Sequence, residues 1–252
     1  AVNLNGNYIY TGSHNGDFII RNEEGKAISQ FYGYVVDGIF QNKTEVTSYT
    51  NEHGTAMQPN AQPGDFRYKD LNHDGVIDEK DKTYIGNPFP DLMLGVNLNA
   101  SYHRWDVQAQ FYGTFGNDIY NLNRERYFGQ NGSNVMAGTL DKAWHGEGTT
   151  NEYPRLSVND ANLNYTRPSS YFVEDGSYFR CKLLQIGYTI PESVLRLCSV
   201  RLSLSAQNLF TITKYSGMDP ETASMGGVTQ AGIDWTGYPN PRTILFGVNV
   251  NF

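Results

Sequence analysis

The strongest pattern in the chain is a two-residue alternation of apolar and polar side chains. It runs through residues 92–102, stops at the dipeptide HR (103–104), and resumes through residues 105–115. Because successive side chains of a β-strand point to opposite faces, this pattern predicts two strands joined by a tight turn. Three further segments alternate in the same way, at residues 184–190, 200–207 and 243–252.

The polar faces of these strands and the lengths of their connections favour one class of β protein. The polar positions are mostly Asn, Gln, Ser and Thr, as expected for a wet lumen, and short connections at 103–104 and 191–198 alternate with long ones. Short turns on one side and long loops on the other are typical of an outer-membrane barrel. The alternative is a soluble β-sandwich, whose strands also alternate. The long connections are residues 41–87, 116–177 and 214–241.

The fold class predicted is therefore all-β, an antiparallel transmembrane β-barrel. Two less regular strands are expected earlier, one beginning near Asp17 and one ending at Phe40, which brings the total to about seven strands. Seven strands leave two open edges in lipid, where unpaired backbone groups are costly, so further strands are expected to close the barrel. Residues 1–10 lack the basic and apolar regions of a signal peptide, and the chain is expected to be a piece of a longer protein.

Composition and charge exclude several functions. The net charge is −7 and no Lys/Arg cluster is present, which argues against nucleic-acid binding. No catalytic constellation is visible: the five His residues form no HExxH motif, and no GxSxG motif occurs. Asp141 and Glu147 near Trp144 are conceivable glycosidase carboxylates, but loop acids of this kind are common. The sequence therefore predicts a protein that is not an enzyme.

Residues 70–81, DLNHDGVIDEKD, follow the spacing of an EF-hand calcium loop. Gly75 stands at the sharp turn, Ile77 is expected to point inward, and four carboxylates within twelve residues repel one another without a cation. The alternative is an acidic turn that folds without metal. The sequence predicts a structural extracellular Ca²⁺ site, whose ligands are Asp70, Asn72, Asp74, the Val76 carbonyl, Asp78 and Asp81.

Several stretches together resemble the C-terminal part of SusC/RagA-type TonB-dependent outer-membrane transporters. These stretches are GKAISQFYGYVVDGIFQN, PGDFRYKDLNHDGVIDEKDKTYIGNPFPDLMLGVNLNASY, FYGTFGNDIYN, LLQIGYTIP and LSAQNLFTITKYSGMDPE. They occur in the family's order and cover nearly the whole chain. The terminal Phe252 is similar to the aromatic C-terminus that serves the family as a barrel-assembly signal.

The resemblance implies a 22-stranded barrel with an N-terminal plug, in the outer membrane of a Gram-negative bacterium. Residues 1–252 would be the C-terminal portion of the barrel domain, without the plug and the earlier strands. The implied function is import of oligosaccharides or peptides beneath a SusD-type surface lipoprotein, with TonB acting through the missing N-terminal part. The alternative function is a secreted, β-rich, calcium-dependent glycan-binding module. That module would use loop aromatics such as Tyr127, Phe128, Trp144 and Trp235.

Overall fold

The computed structural model describes residues 8–128, 134–221 and 227–252, and β-strands dominate these ranges. The strands are β1 (Tyr8–His14), β2 (Asp17–Glu23), β3 (Phe31–Gly33), β4 (Val36–Ile39), β5 (Phe66–Tyr68), β6 (Thr83–Gly86), β7 (Leu92–Tyr102), β8 (Trp105–Phe115), β9 (Asp118–Asn121), β10 (Val173–Asp175), β11 (Tyr178–Ile190), β12 (Ser199–Thr213), β13 (Ile233–Asp234) and β14 (Thr243–Asn251). The α-helices are short: α1 (Lys43–Ser48), α2 (Thr139–Lys142) and α3 (Glu192–Leu195). Among the described residues, no helix is both long and apolar enough to cross a membrane.

The chain divides into two compact units that interleave along the sequence. Unit 1 comprises Ala1–Pro88, Asp118–Glu174 and Ala223–Thr236. Unit 2 comprises Phe89–Asn117, Asp175–Thr222 and Gly237–Phe252. The long connections predicted from the sequence therefore supply most of unit 1, and the regular alternating strands supply unit 2.

Unit 2 is built on one antiparallel sheet of five strands in the order β14-β12-β11-β8-β7. Strands β7 and β8 form the predicted hairpin, with Leu92 opposite Phe115 and Tyr102 opposite Trp105. The five strands contain 11, 11, 13, 15 and 9 residues in chain order. A tilted strand needs about 9–11 residues to cross a bilayer, so each strand is long enough to do so. The predicted antiparallel all-β class is confirmed.

The two earlier strands expected from the sequence lie elsewhere. The segment from Asp17 forms β2, and the segment ending at Phe40 divides into β3 and β4, all outside the five-stranded sheet. Adjacent Ile19 and Ile20 are both fully buried in unit 1, which breaks the strict alternation that a barrel strand needs. Five long strands, rather than about seven, therefore form the continuous sheet.

Unit 1 holds three small sheets, in the orders β1-β2-β3-β6, β10-β9-β13 and β4-β5. They surround a core in which aromatic rings predominate. Phe31, Tyr120 and Phe172 pack together there, with ring centroids 5.5–5.6 Å apart between neighbours. The buried members of this cluster are Ile19, Ile20, Phe31, Tyr34, Ile39, Phe66, Tyr68, Tyr120, Leu122, Tyr165, Tyr171, Phe172 and Ile233.

A buried polar network fixes the irregular segments of unit 1. The fully buried carboxylate of Asp65 accepts hydrogen bonds from Arg155 Nε at 2.7 Å, Asn164 Nδ2 at 2.9 Å and Gln62 N at 2.8 Å. Because a buried charge is costly without partners, these bonds hold residues 62–66 against residues 155–164. These side-chain hydrogen bonds hold the segments of unit 1 together, as backbone hydrogen bonds between strands do in unit 2.

Candidate functional site

One face of the five-stranded sheet in unit 2 is apolar and exposed. The alternation predicts that eight apolar positions lie on this face. The strand register confirms it, because these positions lie opposite one another on neighbouring strands, as Val96 does with Phe111 and Leu204 with Phe246. Phe246 is 70% exposed. Soluble monomers rarely expose a continuous apolar surface of this extent, whereas a lipid-facing surface requires one. The eight positions are Leu94, Val96, Val107, Phe111, Leu202, Leu204, Phe246 and Val248.

The opposite face of the same sheet is rich in uncharged hydrogen-bonding side chains. Asn99 lies opposite Gln108, which lies opposite Gln185, which lies opposite Ser205 across four neighbouring strands. Amides and hydroxyls both donate and accept hydrogen bonds without carrying charge. This face can therefore contact water or a polar solute along the full width of the four strands.

One ion pair crosses this polar face over a glycine. Arg201 of β12 donates to Asp106 of β8 through Nε at 3.0 Å and Nη2 at 2.5 Å. The strand between them is β11, and its Gly187 lies directly opposite Asp106. A Cβ at Gly187 would collide with both the carboxylate and the guanidinium. The absence of a side chain at Gly187 therefore leaves space for a bidentate ion pair between β8 and β12, which are not neighbouring strands.

A second charged cluster fixes the connection between β12 and β14. Arg180, 2% exposed, donates to the carboxylates of Asp219 and Glu221, and Asp219 also accepts the backbone N–H groups of Glu221 at 3.0 Å and Asn240 at 2.9 Å. Although burial alone raises the pKa of a carboxyl group, the hydrogen bonds from Arg180 and these two amides lower the pKa of Asp219 below its ordinary value. We call Arg180, Asp219, Glu221 and Asn240 the loop clip.

The sequence offers a single signal for these two charged clusters. Asp106, Arg180 and Arg201 are charged residues on a face whose polar positions are mostly Asn, Gln, Ser and Thr. Their partners could not be assigned from the alternation, because it identifies a face but not the register between strands.

The calcium-like loop folds back on its own backbone. Asp70 accepts the N–H groups of His73 at 2.7 Å and Gly75 at 2.8 Å, and Asp81 accepts the N–H of Leu71 at 2.9 Å, which joins the two ends of the loop. Three further predicted ligands also accept backbone N–H groups within the loop: Asn72 from Asp74, Asp74 from Val76, and Asp78 from Lys80.

Two structural expectations for the loop are confirmed. Gly75 has φ +79°, which favours glycine, and a Cβ there would also collide with the side chain of Asn51. Ile77 packs against the core of unit 1, as its position in the loop predicted. The loop is therefore anchored from within and shaped by a required glycine.

The charges of the loop are partly balanced by a lysine. Lys80 Nζ lies 3.4 Å from Asp74 Oδ2 and 3.9 Å from Asp78 Oδ2. Hydrogen bonds from Asn72, the Val76 N–H and Lys80 lower the pKa of Asp74 below its ordinary value. Among the described residues, no three or more His, Cys, Asp or Glu side chains are grouped as a metal site. The four predicted carboxylate ligands are therefore not gathered into a metal site, and calcium binding in this loop stays a prediction.

Comparison with known proteins gives consistent results. No protein-family model matches the chain. The TonB-dependent receptor P3 of Formosa agariphila is 34% identical over 98% of the chain, and the match covers 25% of that receptor. The TonB-dependent receptor SusC of Bacteroides thetaiotaomicron is 25% identical over 94% of the chain, and the match covers 21% of SusC. The chain therefore spans about a quarter of the length of these relatives.

The fold agrees with a solved structure of the same class. The RagAB peptide importer in its open-open state matches 93% of the chain and 23% of the importer chain, with a TM-score of 0.65 at 22% identity. The resemblance inferred from the sequence is confirmed. The chain belongs to the SusC/RagA-type TonB-dependent receptors. The five long strands of this receptor segment are accordingly strands of a transmembrane β-barrel.

Of the four aromatic residues suggested for a secreted glycan-binding module, the two whose side chains the structure describes are not exposed. Trp144 and Trp235 are half-buried and pack against the core of unit 1, and Trp144 Nε1 donates to Gln41. The side chains of Tyr127 and Phe128 lie outside the described residues. Within the described ranges, no observation favours the secreted module over the receptor.

Proposed function

We propose that the chain forms part of the barrel wall of a TonB-dependent transporter that imports nutrients across the outer membrane of a Gram-negative bacterium. The observation that carries the proposal is the five-stranded sheet, which is apolar and exposed on one face and rich in amides and hydroxyls on the other. Lipid would cover the first face. The second would face the lumen, together with the plug and the remaining strands of the same receptor.

The proposed topology follows from the connections between the long strands. The turns at 103–104 and 191–198 would lie in the periplasm. The segments 41–87, 116–177 and 214–241 would lie outside the cell, because outer-membrane barrels have short periplasmic turns and long outer loops.

The proposed partners are a SusD-type surface lipoprotein and TonB, which would act through a part of the receptor outside this chain. Two similar proteins support this: one relative is the TonB-dependent receptor SusC, and one solved neighbour is the RagAB peptide importer. The proposed substrates are oligosaccharides or peptides. No covalent chemistry is required of the receptor.

Cysteine labelling of intact cells tests the topology. The complete receptor is first freed of Cys181 and Cys198 by serine substitution. The outer site is Val158→Cys, in the second long segment, at a residue that is 99% exposed. A membrane-impermeant maleimide should label Val158→Cys in intact cells, and should label Arg104→Cys only after the outer membrane is opened. Labelling of Arg104→Cys in intact cells would refute the proposed orientation.

Uptake measurements test the transport function. Cells that depend on the complete receptor should accumulate a labelled oligosaccharide or peptide, and accumulation should stop when TonB is deleted. A matched strain without the receptor provides the background. Accumulation that is equal in the presence and absence of the receptor would refute the transport proposal.

We also propose that residues 70–81 bind Ca²⁺ as a structural ion. The spacing of the oxygen groups, the left-handed Gly75 and the inward Ile77 support the proposal. Asp70, Asn72, Asp74, the Val76 carbonyl, Asp78 and Asp81 would hold the ion, which would neutralise the clustered carboxylates. The Lys80 ammonium, which now approaches Asp74 and Asp78, would have to move away.

Calorimetry of the receptor with CaCl₂ tests this second proposal. Binding should be weak, with a Kd of about 10⁻⁴–10⁻³ M, as in extracellular modules, and Asp70→Ala should abolish it. Asp37→Ala removes an exposed carboxylate outside the loop and is the matched control. Calcium should also protect the loop from proteolysis in the wild type but not in Asp70→Ala. Absence of calcium binding in the wild type at millimolar concentration would refute the proposal.

A further inference from the structure

A small recess in unit 1 is lined by residues from two of the long segments. Residues 57–60 and Ile77 come from the first segment, and residues 161–163 and Arg167 come from the second. The recess has a volume of about 90 Å³. Among the described residues that line it, Arg167 is the one charged side chain. We call this site the arginine recess.

Two tyrosine rings hold the guanidinium of Arg167 in place. Its Cζ atom lies 4.4 Å from the centre of the Tyr34 ring and 5.0 Å from the centre of the Tyr68 ring. Both rings belong to the buried core of unit 1, so their positions are fixed. The rings attract the cation, but they do not accept the hydrogen bonds that its in-plane N–H groups can donate. Arg167 is therefore positioned without being neutralised.

The carboxylates near these tyrosines have other partners. Asp160 accepts the backbone N–H of Asn164 at 2.7 Å, and Glu79 pairs with Lys82 Nζ at 2.8 Å. In the described part of the chain, no carboxylate forms an ion pair with Arg167, and no hydrogen bond uses its side chain. The guanidinium therefore keeps its full charge and all its donors for another acceptor.

The polar wall of the recess is already saturated, apart from one amide. Gln58 Nε2 donates to Phe66 O at 3.0 Å and to Asn162 Oδ1 at 2.9 Å. Asn162 Nδ2 in turn donates to Phe66 O at 3.0 Å and to Asn164 Oδ1 at 2.8 Å. The exposed carboxamide of Asn60 makes no hydrogen bond to any described residue. It is therefore the second available donor beside Arg167.

We propose that the arginine recess binds a small tetrahedral oxyanion, sulfate or phosphate. A guanidinium presents its N–H groups in a fixed fork that matches two oxygens of such an anion. Asn60 supplies a further donor to a third oxygen. A cation is disfavoured at this position, because the charge of Arg167 repels it. The proposal does not depend on the import function.

The volume of the recess favours a small ion over a nutrient. About 90 Å³ corresponds to about three water molecules, whereas pockets for larger organic ligands measure about 300–1,000 Å³. Because Asn60 and Arg167 belong to different long segments, an anion bound to both would join these segments. The ion would therefore hold residues 57–60 against residues 161–167.

Calorimetry of the purified complete receptor in detergent tests the proposal. Sodium sulfate and sodium phosphate are titrated separately at low millimolar concentration, with NaCl keeping the ionic strength constant. Low concentration matters because sulfate and phosphate stabilise proteins generally when they are concentrated. At least one of the two anions should bind with a Kd of about 1 mM. Absence of binding by both would overturn the proposal.

Three variants measure the contribution of each donor. Arg167→Gln removes the charge and the fork, and it should weaken binding at least about tenfold. Arg167→Lys keeps the charge without the fork, and it should weaken binding about three- to tenfold. Asn60→Ala removes one neutral hydrogen bond, and it should weaken binding about two- to fivefold. Unchanged binding in Arg167→Gln would overturn the proposal.

Arg67→Gln is the matched control. Arg67 is another arginine of unit 1 near an aromatic ring, with its Cζ atom 6.0 Å from the centre of the Phe40 ring. Unlike Arg167, it already pairs with a carboxylate, that of Asp37 at 3.3 Å. Binding to Arg67→Gln should stay within about twofold of the wild type. Equal weakening by Arg67→Gln and Arg167→Gln would overturn the proposal.

Methyl phosphate separates two sources of the anion. If the free ion fills the recess, methyl phosphate should bind at least about tenfold more weakly than inorganic phosphate. Equal binding of both would support the site and assign it to a phosphate ester of a larger molecule. In either case Arg167→Gln should weaken the binding of both probes.

Chemical modification of the wild type provides a measurement that needs no substitution. Phenylglyoxal reacts with guanidinium groups and should modify Arg167 in receptor dialysed into NaCl. Sulfate or phosphate at about ten times its Kd should slow this reaction about tenfold, because about one site in eleven is then empty. The exposed Arg104 of unit 2 should react at the same rate with and without the anion. No reaction at Arg167 in NaCl would mean that another part of the receptor covers the recess, and the proposal would be overturned.

Discussion

In unit 1 the largest side chains are the most buried, whereas in unit 2 many of the largest apolar side chains are exposed. Tyr68, Tyr120 and Phe172 of unit 1 are inaccessible to solvent, while Phe246 of unit 2 is 70% exposed. Unit 1 therefore has the hydrophobic core of a water-soluble fold. Unit 2 consists of a sheet whose apolar face needs lipid, and its stability should depend on its surroundings in a way that the stability of unit 1 does not.

The two units also use polar groups differently. Unit 1 buries a charged network around Asp65 inside irregular segments, whereas the sheet of unit 2 carries mostly uncharged amides and hydroxyls on its polar face and buries the Arg180–Asp219 pair at one end, where it meets the loop. Removing the partner of a buried charge lowers the stability of the fold strongly, whereas removing the partner of an exposed amide does not. Substitutions should therefore act most strongly at buried charges in unit 1 and at lipid-facing positions in unit 2.

The largest expected effect is at the centre of the polar network in unit 1. Asp65→Ala leaves Arg155 without its carboxylate partner and should destabilise unit 1 by about 3–5 kcal/mol. The change in the free energy of unfolding is measured in urea, with protease cleavage within residues 41–87 as the readout. Asp37→Ala is the matched control, because the Arg67–Asp37 pair is exposed and should be worth less than about 1 kcal/mol. Equal costs for the two variants would contradict the distinction between buried and exposed pairs.

The next effect separates the two faces of the sheet in unit 2. Val107→Arg places a charge on the apolar face of β8 and should cost about 2–4 kcal/mol in a bilayer. Gln108→Arg, one residue later on the polar face, should be milder. The free energy of unfolding of each variant is measured in lipid vesicles, with the mobility of the receptor in SDS gels as the readout. If the costs were equal on both faces, the assignment of the lipid face would be wrong.

A pair of glycines compares the packing of the two units directly. A Cβ at Gly33 of unit 1 would lie 2.5 Å from the carbonyl oxygen of Pro168, so Gly33→Ala should destabilise by about 1–3 kcal/mol. A Cβ at Gly95 on β7 meets no described atom within 4 Å, so Gly95→Ala should be neutral or slightly stabilising. Thermal unfolding of both variants tests this difference. A large loss for Gly95→Ala would indicate that another part of the receptor packs there.

The smallest effect concerns the loop clip and pH. Because the pKa of Asp219 is lowered in the folded state, its contribution is present above the ordinary carboxyl pKa of about 3.9 and is lost as pH falls through the folded pKa. The loss should be about 1–2 kcal/mol and should be seen as faster proteolysis of residues 214–241 by an acid-active protease. In Asp219→Asn the cleavage rate should be high already at pH 6 and should change less on acidification. A wild-type rate that stays constant down to pH 3 would contradict the clip.

The sequence predicted much of unit 2 and little of unit 1. Alternation gave the hairpin of β7 and β8, the face shared by Val107 and Leu204, and the short connections at 103–104 and 191–198. Each of these depends on local periodicity. The position of β2 outside the five-stranded sheet was missed, because burial of its residues Ile19 and Ile20 in a separate core outweighs the alternation around them.

The candidate sites show the same limit. The loop at 70–81 was recognised because its groups are adjacent in sequence, and the positions of Gly75 and Ile77 are as expected. The Arg201–Asp106 pair was not recognised, because its members come from different strands.

The sequence by itself determined the all-β class, the two faces of the long strands and the resemblance to the receptor family, because each of these is encoded in neighbouring residues. The tertiary structure alone decided which strands form one sheet and that the long connections build a core of their own. It also decided which charges meet, as Asp65 meets Arg155 and Arg180 meets Asp219. The physical reason is that register and long-range burial depend on contacts between distant segments, which no local period specifies.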